Sequence, residues 1–210
     1  MFWGGCKRTM RVGDLPCPCI PTCYAAWVSR VSQDASPPGA LEGASGGVAP
    51  GGAGGEARRR QYVEVRQAID ALLDGEDDWI AAMATVVCEL HHGFEHYHWT
   101  GFYRLTRPDL LVIGPYQGSH GCLRIELDRG VCGAAAREKR TQLVPDVHEF
   151  PGHIACSSTT RSEIVVPVLT PDGCLLAVLD VDSDDPGAFD EVDQAALEDL
   201  CASLGRRFAP

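Results

Sequence analysis

Residues 163–182 read EIVVPVLTPDGCLLAVLDVD, two apolar runs, Glu163 to Leu169 and Cys174 to Asp182, joined by Thr170-Pro171-Asp172-Gly173. The linking residues have the chemistry of a hairpin turn, so the runs are expected as paired strands. Asp180 and Asp182 stand two apart and share one face of the second strand, while Glu163 opens the strand paired with it. Three carboxylates are thereby placed to converge. Asp180 is embedded in Leu175-Leu176-Ala177-Val178-Leu179, where a solvated acidic face is a poor explanation. A buried carboxylate needs a partner or a raised pKa. A bound ammonium group supplies such a partner, and a protonated member of the cluster can donate a hydrogen bond to a substrate oxygen. For Asp182, turn chemistry with Ser183 and Asp184 is an equal reading.

Downstream, Asp190 is a good N-cap for a closing helix that runs to about Phe208, with Arg206 and Arg207 complementing its dipole. Upstream, strand-like stretches occur at about Tyr97 to Leu105, Leu110 to Tyr116, Cys122 to Leu127 and Gln142 to Val147, with an alanine-rich helix from Gly130 to Lys139 among them. His148 to Thr160 reads as a loop marked by Phe150-Pro151-Gly152. Two helices precede the sheet: one from Tyr62, carrying Val63, Ala68, Ile69, Leu72 and Leu73, and one from about Asp77 to His91, carrying Ile80, Met83, Val86, Val87 and Leu90 on one side. The pattern is α+β, with a mainly antiparallel sheet of about six strands.

Residues 36–60 hold eight glycines with Pro37, Pro38 and Pro50, a composition that cannot bury enough apolar surface to order itself. Residues 1–60 are therefore expected to be a low-complexity extension and 61–210 a single domain. The extension carries seven Lys/Arg against four Asp/Glu and the remainder eleven against twenty-five, so a body at −14 follows a segment at +3. An acidic body argues against nucleic acid as a partner. No run approaches the roughly eighteen apolar residues of a membrane span, and a cytoplasmic protein is expected, with organelle targeting through residues 1–60 as the alternative. Ten cysteines in a chain with an ample core point to a reducing compartment and to redox, nucleophilic or metal-binding roles rather than a disulfide framework.

Trp99, Gly101 and Tyr103 alternate along one strand, so the glycine is expected to leave a hollow between two aromatics, suited to a small ligand; ordinary core packing is the other reading. Cys122, Cys132 and Cys156 fall at a strand start, a helix start and a loop, where a thiolate can be stabilised and approached, or where a thiol can simply be inert. Cys88, Cys174 and Cys201 lie in apolar-periodic segments and look like small core residues. Neither Cys88, His91 and His92 nor Cys17, Cys19 and Cys23 matches a paired zinc spacing. Ser157, Ser158 and His153 form no nucleophile elbow.

Six segments in order, WTGFY from Trp99 to Tyr103, GPYQG from Gly114 to Gly118, GVCG from Gly130 to Gly133, DVH at 146–148 with FPGHIAC at 150–156, SEIV from Ser162, and VLDVDS from Val178 to Ser183, resemble the free methionine-(R)-sulfoxide reductases, which are GAF-domain enzymes. The likeness covers about residues 61 to 205. It implies a GAF-like fold, Cys156 as the attacking thiolate, Cys122 as the resolving thiol and Cys132 as a second resolving or accessory thiol. It also implies substrate binding by Trp99, Tyr103, Glu163, Asp180 and Asp182. The reaction so implied passes from sulfenic acid to disulfide, needs no bound cofactor or metal, and is recycled by thioredoxin as external reductant. A homodimer is implied as well. The alternative is a non-catalytic GAF module that senses a small molecule or redox state through the same pocket.

Overall fold

The computed structural model describes residues 53–152 and 157–209. Helix α1 (Ala53–Leu72) and helix α2 (Trp79–Gly93) are followed by β1 (Trp99–Arg107), β2 (Leu110–Gln117), β3 (Arg124–Glu126), α3 (Gly130–Glu138), β4 (Gln142–Val144), a short 3-10 turn (Val147–Glu149), β5 (Ser162–Leu169), β6 (Leu175–Ser183) and α4 (Glu191–Arg207). The six strands form one sheet in the order β3-β2-β1-β6-β5-β4, and every neighbouring pair is antiparallel. The expected α+β fold is the one observed. Residues 1–52 of the expected extension, with the alternative targeting role and the Cys17, Cys19, Cys23 group, lie outside the described residues.

Side-chain alternation sends each strand's residues to two interiors. Phe102, Ile164, Val166, Val168, Leu179 and Val181 face α2 and α4, with α1 packed on both helices. Trp99, Tyr103, Leu111, Val165 and Val178 face the other way, against Val131, Cys132, Ala135 and Ala136 of α3. The β5–β6 turn is the one expected: the Gly173 amide donates to the Thr170 carbonyl at 2.9 Å, and Gly173 takes a φ of +79°. Asp190 caps α4 by accepting from the Val192 amide at 2.7 Å, and Asp193 returns a bond from the Asp190 amide at 2.8 Å, a complete capping box.

Helix α1 starts at Ala53, ahead of the 60/61 boundary read from composition. Glu56 to Arg60 are strong helix formers apart from the glycines before them, and Arg58 is tied into the domain. Its Nη1 donates to Asp193 at 2.8 Å and to Asp190 at 3.3 Å. Asp193 is fully buried and also accepts from the Tyr62 hydroxyl at 2.8 Å, which in turn bonds the Tyr97 hydroxyl. Glycine content concealed a segment whose order comes from a distant carboxylate. Ile80, Val63 and Leu72 are exposed at 44%, 55% and 59% rather than turned into the core. Tyr62, Ile69 and Leu73 take the buried side of the first helix and Ala82 that of the second. Among the described residues, no helix is long and apolar enough to cross a membrane.

Helix α4 crosses the end of β5 so closely that a β-carbon on Gly205 would lie 1.8 Å from the Leu169 carbonyl oxygen. The backbone oxygen cannot swing aside, so helix and strand must part. Gly205→Ala is expected to cost about 1–3 kcal/mol, the range of an overpacked core, despite alanine's better helix propensity. The measurement is the urea midpoint, and an unchanged midpoint would show that α4 shifts freely.

Candidate active site

The register of the central strands builds the site. Asp182 of β6 lies opposite Trp99 on β1 and Glu163 on β5, and Asp180 lies opposite Gly101 and Val165. Directly opposed residues on one face of a sheet bring their β-carbons to about 5 Å, so Trp99, Asp182 and Glu163 form one row and Asp180 sits in the next. Glu163 and Asp180 are buried, at 6% and 5% exposure, and Asp182 is half-buried. A cleft of about 530 Å³, its solvent-filled mouth included, opens over them. Trp99, Tyr103, Cys132, Glu163, Asp180 and Asp182 all line it, so six of the eight residues singled out from sequence meet in one place.

The aromatic wall differs from the expected hollow. The Trp99 indole folds over Gly101, where a β-carbon would meet its Cη2 at 2.5 Å. The missing side chain is thus occupied by tryptophan, which stacks on Tyr116 at 5.5 Å on one side and on Tyr103 at 5.8 Å on the other. The Trp99 Nε1 donates to the Ser119 carbonyl at 2.8 Å. That bond fixes the loop Ser119-His120-Gly121 as a further wall of the cleft, which sequence reasoning missed. Its sequence trace is the pair Gly118 and Gly121: Gly118 has a φ of +107°, and a β-carbon on Gly121 would come within 2.9 Å of the Tyr103 hydroxyl. Ile125 and Thr160 also line the cleft, and the sequence singled out neither.

Electrostatics on the floor run one way. No lysine or arginine lines the cleft among the described residues. Burial first, then the neighbouring carboxyls Asp180 and Asp182, hold Glu163 well above the usual carboxylate range. Burial and Asp180 do the same to Asp182. Asp180 is pushed up to about 7 by burial, and it accepts hydrogen bonds from the Cys132 thiol and the Glu163 carboxyl, which moderate the rise. Like charges this close cannot all ionise, so the cluster shares protons and offers a carboxylic acid at neutral pH. The Asp180 Oδ1 is buried with no hydrogen-bond partner among the described residues, an acceptor left for a ligand.

Cys132 stands at the start of α3, where the sequence left open a stabilised thiolate or an inert thiol. The N-terminus of α3 favours a thiolate. Burial and the charges of Asp180 and Glu163 outweigh it and push the Cys132 thiol well up. Cys132 is a free, neutral hydrogen-bond donor to Asp180. Cys122 is half-buried beside the cleft, one residue after Gly121, and is disulfide-bonded. Cys88, Cys132, Cys174 and Cys201 are free thiols, so its partner lies outside the described residues. Cys201 is fully buried as a core residue, whereas Cys88 and Cys174 are only half-buried. Cys156 also lies outside the described residues; its covalent neighbour Ser157 lines the cleft.

A carboxyl-floored cleft on one face of a six-stranded antiparallel sheet, with helices stacked on the other, defines a small-molecule-binding domain. Residues 49–208 match the family model of the GAF domain. The chain is 38% identical to a free methionine-R-sulfoxide reductase of Escherichia coli over 148 residues, 70% of this chain and 88% of that protein. It is 44% identical to GAF domain-containing protein A of Dictyostelium discoideum over 147 residues, 70% of this chain and 92% of that protein. The free methionine-R-sulfoxide reductase of Neisseria meningitidis, solved in complex with its substrate, superposes with a TM-score of 0.68 at 44% identity, covering 72% of this chain and 90% of that one. The chain belongs to the GAF family and, within it, to the free methionine-R-sulfoxide reductases.

The raised carboxyls carry a stability signature. Asp180 rises from an ordinary 3.8 to about 7, so across that window the folded state holds a proton that the unfolded chain has lost. Stability must then fall as pH rises through the window. Denaturant unfolding of the ligand-free protein between about pH 5 and about pH 8 is expected to show this slope, and Asp180→Asn to flatten it. An equal slope in the variant would place the linkage elsewhere.

Proposed function

We propose that this chain reduces free methionine-(R)-sulfoxide to methionine. The observation that carries the reading is the buried Asp180 oxygen that has no partner among the described residues, set among Glu163 and Asp182 and beside the Trp99 wall. A carboxyl cluster lined by no lysine or arginine among the described residues is matched by an α-ammonium, and an aromatic wall by the methyl sulfoxide end of the side chain. Only the free amino acid carries that ammonium; a peptide-bound residue presents an amide there.

In the proposed cycle the Cys156 thiolate attacks the sulfoxide sulfur. A carboxylic acid of the floor gives its proton to the oxygen, which cannot leave as bare oxide. Sulfoxide, thiolate and one proton become methionine and a Cys156 sulfenic acid. Cys122 condenses with the sulfenic acid, water leaves, and a Cys156–Cys122 disulfide remains. A dithiol such as thioredoxin then reduces it by exchange and takes up the oxidation. Two features support the pairing: Cys122 is disulfide-bonded, and Cys156 directly precedes a residue of the cleft wall. Cys132, neutral and bonded to Asp180, acts as an accessory group that orients the carboxyl floor. The chemistry is expected in the cytoplasm.

The test follows NADPH oxidation through thioredoxin reductase and thioredoxin. Turnover is expected with the free (R)-sulfoxide and not with the (S) epimer or an N-blocked analogue. Asp180→Asn and Glu163→Gln should each lower kcat/KM by about 10-fold to 100-fold, the weight of a hydrogen bond to a charged group. Cys156→Ser should abolish turnover while keeping the fold. No turnover of the free (R)-sulfoxide with every component active would reject the reading and leave a ligand-sensing GAF module.

A further inference from the structure

The floor of the cleft brings a thiol and two carboxyls within reach of one another. The Cys132 Sγ and one carboxylate oxygen from each of Glu163 and Asp180 lie within 4.8 Å of one another, and all three residues are buried. Each comes from a different element, α3, β5 and β6, so the trio is a product of the fold and not of one acidic segment. In addition, the Asp180 Oδ1 is buried with no hydrogen-bond partner among the described residues, on a side chain that lines the cleft.

We propose that Cys132, Glu163 and Asp180 form a site for a thiophilic divalent cation, with Zn²⁺ as the fitting species, on the same floor that receives the substrate. Zinc bonds of about 2.3 Å to sulfur and about 2.1 Å to oxygen set ligand atoms roughly 3.6 Å apart in a tetrahedron. The trio therefore closes on the ion by contracting about 1 Å, within reach of side-chain rotation. Three protein ligands leave a fourth position open to the cleft for water. The sulfur selects against Mg²⁺ and Ca²⁺, which demand oxygen shells. On binding, the ion displaces the thiol proton and the shared carboxyl proton to solvent, and the site's negative charge is then compensated. The ion takes no part in reduction; it blocks the floor. That last consequence rests on the proposed function, whereas ion binding itself does not.

The experiment titrates the reduced full-length chain with Co²⁺ as a spectroscopic probe. A sulfur-to-cobalt charge-transfer band is expected to saturate at one Cys132-dependent equivalent and to bleach with Zn²⁺. Cys132→Ser should remove that equivalent, and Asp180→Asn and Glu163→Gln should weaken it at least about tenfold. Cys88→Ala should leave it intact, since the Cys88 thiol meets His92, at 3.8 Å, on α2, on the opposite side of the domain's sheet. An undiminished band in Cys132→Ser, or no band in the wild-type chain, overturns the site. If Cys132→Ser loses native circular dichroism, unchanged affinity in both carboxyl variants overturns it instead. Turnover of the metal-free protein is measured alongside: a Cys132-dependent band without turnover supports the ion site and rejects the substrate reading, and turnover without the band does the reverse.

Discussion

Strand β6 lies between β1 and β5 with both of its faces covered, so each of its residues must satisfy one of two interiors. Ala177, Leu179 and Val181 satisfy the helical interior by shedding apolar surface from water, which contributes about 25 cal/mol per Å² buried. Asp180 and Asp182 occupy the alternate positions and meet an interior that must accommodate carboxyls. Burial of an ionised carboxylate without a partner costs more than a domain of this size can spare. The remedy is protonation and mutual hydrogen bonding with Glu163 and Cys132.

That remedy shapes the cleft. The thiol at the start of α3 and the Glu163 carboxyl on β5 both approach Asp180, so helix, strand and central strand meet at one side chain. The bonding is incomplete, since one Asp180 oxygen remains without a protein donor among the described residues. A buried polar atom left unsatisfied calls for an explanation, and a bound ligand supplies one here. The opposite face shows the contrast. Asp193 is as buried as Asp180, yet Arg58, Tyr62 and the Asp190 amide leave it fully engaged, and it serves as a structural anchor.

Much of this was legible in the chain. The alternation in residues 163–182 placed Asp180, Asp182 and Glu163 on one face, and the Thr170 to Gly173 turn set their pairing, because period-two geometry and turn chemistry are local. The cap at Asp190 was legible for the same reason. Amphipathic assignment was weaker at helix edges: Ile80, Val63 and Leu72 have apolar side chains at helical spacing but stay exposed among the described residues. The start of α1 was hidden because its stability comes from Arg58 reaching Asp190 and Asp193, which no local window contains.

The sequence by itself determined the α+β class, the antiparallel hairpin, the face bearing the carboxyls and, through its ordered motifs, the family. Each of these follows from residues close together in the chain or from an ordered set of short motifs. Only the tertiary structure decided that Trp99 fills the space over Gly101, that Ser119 to Gly121 close the cleft, and that Cys132 meets Asp180 as a neutral donor. Those outcomes depend on packing and on burial between segments far apart in sequence. Burial sets the local dielectric, and the dielectric decides whether a thiol or a carboxyl keeps its proton.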